Sequence, residues 1–88
     1  SEIDYIESLE DYIKIHLNQA KPILTLMTLK GVLEKLPPGK FSRIHRSYVV
    51  ASGKVVAIQN RKVKLGSGVE LPISDSYTSF IKQWKANG

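Results

Sequence analysis

The 88-residue sequence contains no cysteine, and this absence excludes several kinds of chemistry. Disulfide bridges, thiolate zinc sites, iron–sulfur clusters and cysteine nucleophiles all require cysteine side chains. Histidine is scarce, because His16 and His45 are the only two, too few for a histidine-rich metal site. No apolar run approaches the roughly 20 residues of a membrane-spanning helix. We therefore expect a cytoplasmic protein with no metal, no cofactor and no membrane segment in this chain.

Motifs for catalysis are absent as well. His45 and Ser47 are close in sequence, but a working serine–histidine pair also needs an orienting carboxylate and an oxyanion hole. The residues around them carry no acid, and there is no phosphate-cradling glycine loop or G-x-S-x-G motif. The sequence therefore predicts no catalytic residues and no small-molecule substrate, and hence a protein that is not an enzyme.

Negative charge is missing from a long stretch of the chain. The net charge is +5, yet five of the eight acidic residues lie within residues 1–20. Between Lys35 and Val69 there are eight lysines and arginines and no acid. Such a basic region favours a polyanionic partner, because each phosphate neutralised releases a counterion. The alternative is a solvated surface that is basic for no functional reason.

The hydrophobic pattern predicts a mostly β domain. Apolar residues alternate or cluster in short segments that are typical of strands, at residues 3–6, 12–18, 23–27, 48–50, 54–58, 62–65 and 69–73. Residues 7–11 are polar enough to be a loop. Apolar residues at helical spacing predict one short helix at about 28–36 and a C-terminal helix, capped by Ser74, at about 75–85.

The most distinctive motif is Arg43-Ile44-His45-Arg46-Ser47-Tyr48. Arginine can donate two hydrogen bonds to guanine in the major groove of DNA, and serine hydroxyls can hold phosphates. Each residue also has a purely structural interpretation: His45 can bond a backbone carbonyl in a turn, and Arg43 can be a solvated strand residue. Arg46, next to Ser47, is the better candidate for contact.

Six segments of the chain occur in an order and at a spacing that resemble a known family. They are Tyr5-Ile6-Glu7-Ser8, Asp11-Tyr12-Ile13-Lys14-Ile15, Thr28-Leu29-Lys30, Leu36-Pro37, Phe41-x-Arg43-Ile44-His45-Arg46-Ser47-Tyr48-Val49-Val50 and Leu71-Pro72-Ile73-Ser74. The ordered set is similar to the LytTR family, the LytR/AgrA-type DNA-binding domains of bacterial response regulators. The resemblance extends over residues 3–81.

The resemblance implies a LytTR-like β-sandwich of short strands in stacked sheets, whose edge loops enter successive major grooves of duplex DNA. It implies DNA contacts from three segments of this chain: Asp11, Tyr12 and Lys14; Arg43, His45, Arg46 and Ser47; and Asp75, Ser76 and Tyr77. The expected function is sequence-specific DNA binding as the output domain of a two-component transcription regulator. We also expect a homodimer on adjacent half-sites.

Asp75 and the start of the sequence both differ from the family pattern in ways that bear on these expectations. Asp75 stands where the family commonly has arginine; it can stabilise a helix N-terminus or accept a hydrogen bond from cytosine N4. Family members also usually carry a further strand before the Tyr-Ile-Glu motif and a receiver domain upstream. We therefore expect residues 1–88 to be a single LytTR-like domain that lacks its first strand and any receiver domain.

Two other functions fit parts of the sequence. A small RNA-binding β domain would share the basic charge, although such domains stack bases on exposed aromatic side chains, and most aromatics here occupy apolar faces. A protein-interaction or membrane-associated regulatory LytTR module would instead direct the basic face to an acidic partner. Selection from randomised DNA duplexes separates these functions from DNA binding.

Overall fold

A computed structural model describes residues 2–87 of the chain, with side chains for residues 2–86. That part contains eight strands and two α-helices. The strands are β1 (Ile3–Leu9), β2 (Tyr12–Leu17), β3 (Ile23–Thr25), β4 (Phe41–His45), β5 (Tyr48–Ala51), β6 (Val55–Gln59), β7 (Lys62–Leu65) and β8 (Glu70–Pro72). The helices are α1 (Leu29–Lys35) and α2 (Ser79–Asn87), and short 3-10 turns lie at Ser52–Lys54 and Asp75–Tyr77.

The strands form two antiparallel sheets. The larger sheet has five strands in the order β3-β2-β1-β5-β4, and the smaller has three in the order β6-β7-β8. β1 is the central strand of the larger sheet and pairs with β2 on one side and β5 on the other. The prediction of a mostly β domain with stacked sheets and two short helices is confirmed.

The first half of the core lies between the larger sheet and α1. Ile6, Ile13 and Val49 of the sheet are fully buried against Leu29 and Val32 of the helix. Burying an aliphatic side chain of this size stabilises the fold by roughly 1.5–3 kcal/mol. Since a helix of this length is unstable alone, the apolar stripe of α1 holds it on the sheet.

The second half of the core lies on the opposite face of the larger sheet. Ile44 and Val50 pack there against the three-stranded sheet and against Phe80 of α2. The smaller sheet contributes Val63 and Leu65, which are also buried. The larger sheet is therefore the middle layer of the molecule and carries a core on each face.

The first helix begins and ends as its sequence predicts. The Thr28 hydroxyl accepts a hydrogen bond of 2.9 Å from the Gly31 N–H and caps the N-terminus. At the other end the Leu36 N–H donates to the Leu33 carbonyl at 3.3 Å, and Pro38 keeps Pro37 out of helical backbone angles.

Two predicted boundaries are wrong. The C-terminal helix begins at Ser79 instead of about residue 75, because residues Asp75–Tyr77 form a separate 3-10 turn. Ser74 precedes that turn without a capping hydrogen bond from its side chain.

None of the helices in the described residues is long and apolar enough to cross a membrane.

The predicted loop at residues 7–11 is mostly strand, since β1 continues to Leu9. Glu7 lies opposite Lys14 on β2 and opposite Tyr48 on β5. In a central strand the backbone is hydrogen-bonded on both sides, so pairing outweighs the low strand propensity of polar residues. The five residues from Phe41, where no strand was predicted, form β4.

Candidate nucleic-acid interface

Antiparallel pairing brings two turns of the larger sheet side by side. Glu10 and Asp11 connect β1 to β2, and Arg46 and Ser47 connect β4 to β5. Because β1 and β5 are antiparallel neighbours, the end of β1 lies beside the start of β5. The Ser8 N–H donates to the Ser47 carbonyl at 2.9 Å, which ties β1 directly to the β4–β5 turn.

A third segment joins these turns from the smaller sheet. After β8, the Ser74 N–H donates to the Ile44 carbonyl at 2.9 Å. The guanidinium carbon of Arg43 lies 5.8 Å from the centre of the Tyr77 ring. We call the surface formed by residues 10–11, 46–47 and 75–77 the turn edge. The three segments that the family resemblance singles out therefore lie together in the fold.

Arg43 holds the β4–β5 turn from within. Its Nη2 donates to the Arg46 carbonyl at 2.7 Å, and its Nε donates to the His45 carbonyl at 3.3 Å. Tyr77 supports the same guanidinium through a cation–π contact. Arg43 is half-buried, so the alternative of a solvated strand residue is wrong: the side chain fixes the backbone that carries Arg46.

His45 also bonds the turn, but not in the expected way. Its Nδ1 accepts a hydrogen bond of 3.0 Å from the Ser47 N–H, whereas a bond to a backbone carbonyl was the structural alternative. The ring is tilted against Tyr48 at 5.4 Å between ring centres. Backbone amides need an acceptor when they are shielded from water. His45 provides one for the Ser47 N–H, which the tight turn leaves without a backbone partner.

Arg46 is the most accessible residue of the predicted motif. It is exposed at the tip of the turn, and its guanidinium makes no hydrogen bond or ion pair with any residue that the structure describes. Its backbone carbonyl, in contrast, is held by Arg43. A fixed backbone with an unengaged guanidinium leaves all five N–H donors of Arg46 for a partner.

The β1–β2 turn presents a different chemistry. Asp11 is exposed, and the Tyr12 side chain that follows it is 48% exposed. Lys14 lies further along β2, half-buried and opposite Glu7. Tyr12 is the only aromatic residue among the exposed large hydrophobics of the described chain. A stacking surface for single-stranded RNA needs several such rings, so the structure offers little support for that alternative.

Within residues 75–77, one side chain packs against the core and the other two are exposed. Tyr77 is half-buried against the core between the sheets, while Ser76 is exposed. The Asp75 carboxylate accepts a hydrogen bond from Nη1 of Arg61 and forms an ion pair with it. Neither sequence-based explanation of Asp75 anticipated this partner.

Arg61, which also lies at this surface, was not among the predicted site residues. Asn60 and Arg61 form the β6–β7 turn, and both have positive φ angles, of 52° and 58°. The signal was present in part, because a polar pair between two strands predicts a hairpin turn. The contact with Asp75, 14 positions away in sequence, follows from the pairing of β7 with β8, which places Lys62 opposite Pro72.

Behind the turn edge lies a polar and aromatic cluster. The His16 ring stacks on Tyr5 at 4.1 Å between ring centres, and its Nε2 lies 3.0 Å from Oε1 of Glu7. Tyr5 meets Tyr48 edge-on at 6.3 Å. Burial raises the pKa of Tyr5, and the nearby Glu7 carboxylate adds to this effect. Among the described residues there is no cluster of three potential metal ligands.

Eight short antiparallel strands in two sheets place the chain in the class of small, mostly β domains. Residues 1–86 match the family model described as the LytTr DNA-binding domain. The chain belongs to this family, which confirms the resemblance found in the sequence, and DNA binding is the function after which the family is named.

A solved structure has the same fold. It is a chain from Bacillus cereus described as the LytTr DNA-binding domain of a response regulator, and it is 21% identical to this chain with a TM-score of 0.82. The match covers 96% of this chain and 81% of that one. No match was found among curated proteins.

Proposed function

We propose that this domain binds duplex DNA in a sequence-specific manner through the turn edge, as the output domain of a two-component transcription regulator. One observation carries the proposal: Arg46 has an exposed guanidinium on a turn whose backbone is fixed by Arg43 and His45. A fixed turn reduces the ordering cost of binding, and an unengaged arginine suits the acceptors of guanine in the major groove.

The size of the domain supports binding to successive grooves. Its longest dimension is 33 Å, close to the roughly 34 Å of one helical turn of B-DNA. In the sheet β1 lies next to β5, while residues 75–77 contact β4, so the β1–β2 turn and residues 75–77 both neighbour the hairpin that carries the β4–β5 turn. In this arrangement Arg46 reads a base pair, while Tyr12 and Lys14 fix the register of the domain on the duplex.

Non-specific attraction comes from the basic residues of the acid-free stretch. Lys62 and Lys64 are exposed on the smaller sheet, next to the β6–β7 turn. Because each lysine or arginine that neutralises a phosphate releases a counterion, affinity for any duplex will fall with salt. The net charge of +5 supports this term.

The regulatory part of the proposal concerns the parent protein. The solved neighbour is described as a domain of a response regulator, which supports a place in a two-component system. Phosphorylation of an upstream receiver domain would bring two copies onto adjacent half-sites, where binding of the second copy becomes intramolecular and occupancy rises. The place of action is then the bacterial cytoplasm, where the duplex DNA partner is found.

Selection of bound sequences from a randomised duplex library tests the proposal. We expect one sequence preference to emerge and the logarithm of the affinity for the selected duplex to fall with the logarithm of salt concentration, with a slope of about −0.9 per phosphate contacted. Single-stranded RNA should compete weakly. Absence of any enriched duplex would contradict DNA recognition and favour an interaction module with an acidic protein or membrane partner.

A further inference from the structure

Arg61 lies beside the turn edge in a fixed position. The positive φ angles of Asn60 and Arg61 define a tight β6–β7 turn, and the Arg61 carbonyl accepts a hydrogen bond of 2.8 Å from the Ile73 N–H. The next residue, Ser74, is bonded to Ile44 of β4. These two bonds attach the β6–β7 turn to the same surface as the β4–β5 turn.

The ion pair between Arg61 and Asp75 is so exposed that a contribution to the stability of the fold does not explain why it is there. The Arg61 side chain is 61% exposed and that of Asp75 is 86% exposed, and ion pairs in such surroundings contribute little to folding. The pair uses only Nη1 of Arg61. Within the described residues no other acceptor binds this guanidinium, so its remaining N–H donors face solvent.

The Asp75 carboxylate is unfavourable on a surface that binds phosphates, because like charges repel. An unpaired Asp75 would repel the duplex, whereas one paired with Arg61 is neutralised by it. The pairing also restricts a long side chain that would otherwise lose rotamer freedom on binding. The presence of the exposed Asp75 on a basic surface is therefore best explained by its ion pair with Arg61, whose side chain it holds in place.

We propose that Arg61 is a further DNA-contacting residue and that Asp75 is its positioning residue rather than a contact to a base. The inference rests on the proposed function and adds a fourth segment to the turn edge. The free side of the Arg61 guanidinium suits either a phosphate or the O6 and N7 acceptors of guanine. Comparison of the selected duplex with a random one separates these two sources.

The test is a double-mutant cycle with Arg61→Ala, Asp75→Asn and both changes together, in which affinity for duplexes is measured by fluorescence anisotropy. We expect Arg61→Ala to weaken binding to the selected duplex by about tenfold. Asp75→Asn should weaken it by roughly three- to fivefold, although the change removes a negative charge. In the Arg61→Ala background the same Asp75→Asn change should strengthen binding or leave it unchanged.

The loss of the weakening effect of Asp75→Asn when Arg61 is absent is the readout that simple electrostatic repulsion cannot produce. If Asp75→Asn strengthens binding in both backgrounds, the carboxylate only repels DNA and the positioning role is wrong. If Arg61→Ala changes the affinity for neither the selected nor the random duplex, Arg61 lies outside the interface. Equal weakening on selected and random duplexes assigns Arg61 to a phosphate, and weakening confined to the selected duplex assigns it to a base.

Matched controls keep these outcomes distinct from failure of the domain. Lys30→Ala removes an exposed positive charge on α1 and should weaken binding less than Arg61→Ala does. Thermal melting should show that all variants remain folded, because both side chains of the pair are exposed. A wild-type chain that binds no duplex would overturn the proposed function itself, whereas wild-type binding that is unaffected by Arg61→Ala would overturn only this inference.

Discussion

The interior between the two sheets and the turn edge are built from different interactions. The interior is apolar and consists of buried side chains that form one cluster, among them Ile44, Val50, Val63 and Leu65. The turn edge instead depends on a few polar contacts, of which the Arg43 bonds to the β4–β5 turn are the most direct. The two regions meet at Ile44, whose side chain is in the core while its carbonyl binds Ser74.

The difference teaches where stability and specificity are encoded in a domain of this size. Apolar burial stabilises the fold in proportion to area and tolerates many side chains of suitable volume. A hydrogen bond to a turn contributes less free energy, but it selects one backbone geometry. Substitutions in the interior should therefore abolish both folding and binding, and those at the turn edge should separate them.

The largest effect is expected for Ile44→Ala. Ile44 is fully buried, and loss of a buried isoleucine side chain costs about 2–5 kcal/mol of unfolding free energy. This is a large fraction of the stability of a small domain, so DNA binding should fall with the folded fraction. Urea denaturation measures the loss. Val56→Ala, at a side chain that is 57% exposed, is the control; equal losses at both positions would contradict the assigned core.

Arg46→Ala should weaken binding to the selected duplex by roughly 1–3 kcal/mol and reduce the preference at one base pair. Its effect on unfolding should stay within about 0.5 kcal/mol, because the side chain is exposed and makes no described contact. Anisotropy titrations on selected and random duplexes test this, with Lys30→Ala on α1 as control. Equal weakening on both duplexes would reduce Arg46 to a phosphate contact.

Arg43→Ala should affect both regions by intermediate amounts. Loss of its bonds to the turn should reduce stability and duplex affinity by about 1 kcal/mol each, because the backbone of Arg46 is no longer held. Arg43→Lys keeps the charge but not the two bonds, and should not restore affinity. Thr28→Ala removes the α1 cap at a similar cost of about 1 kcal/mol and should leave affinity unchanged; reduced affinity there would show that stability alone explains the effect.

The smallest effect concerns the dependence of stability on pH. Burial, aided by the Glu7 carboxylate, raises the pKa of Tyr5 above its ordinary value of 10.0. The folded state then holds the proton more tightly than the unfolded state, so this contribution is present below pH 10 and is lost as pH rises through the raised pKa. Tyr5→Phe should make the alkaline fall in unfolding free energy shallower. Tyr12→Phe, at an exposed ring, is the control, and identical slopes would contradict the assignment.

Most strands and the first helix could be predicted because their burial pattern is local. Ile13 alternates with exposed Tyr12 and half-buried Lys14, and Thr28 caps a helix whose apolar residues recur at helical spacing. The end of β1 could not be predicted, since polar Glu7 and Ser8 are held in the strand by neighbours on both sides. The start of α2 was missed because the 3-10 turn before it also places residues at near-helical spacing.

The sequence by itself determined the periodicity, the charge asymmetry and the set of segments that belong to a LytTr DNA-binding domain. The contacts of Arg43, Arg61 and Asp75 were decided only by the tertiary structure. The Arg43 side chain donates a hydrogen bond to the backbone of the β4–β5 turn, and Arg61 pairs with Asp75, which is 14 positions further along the sequence. The physical reason is that periodicity records which side of an element is buried, whereas strand order and sheet packing bring distant side chains into contact.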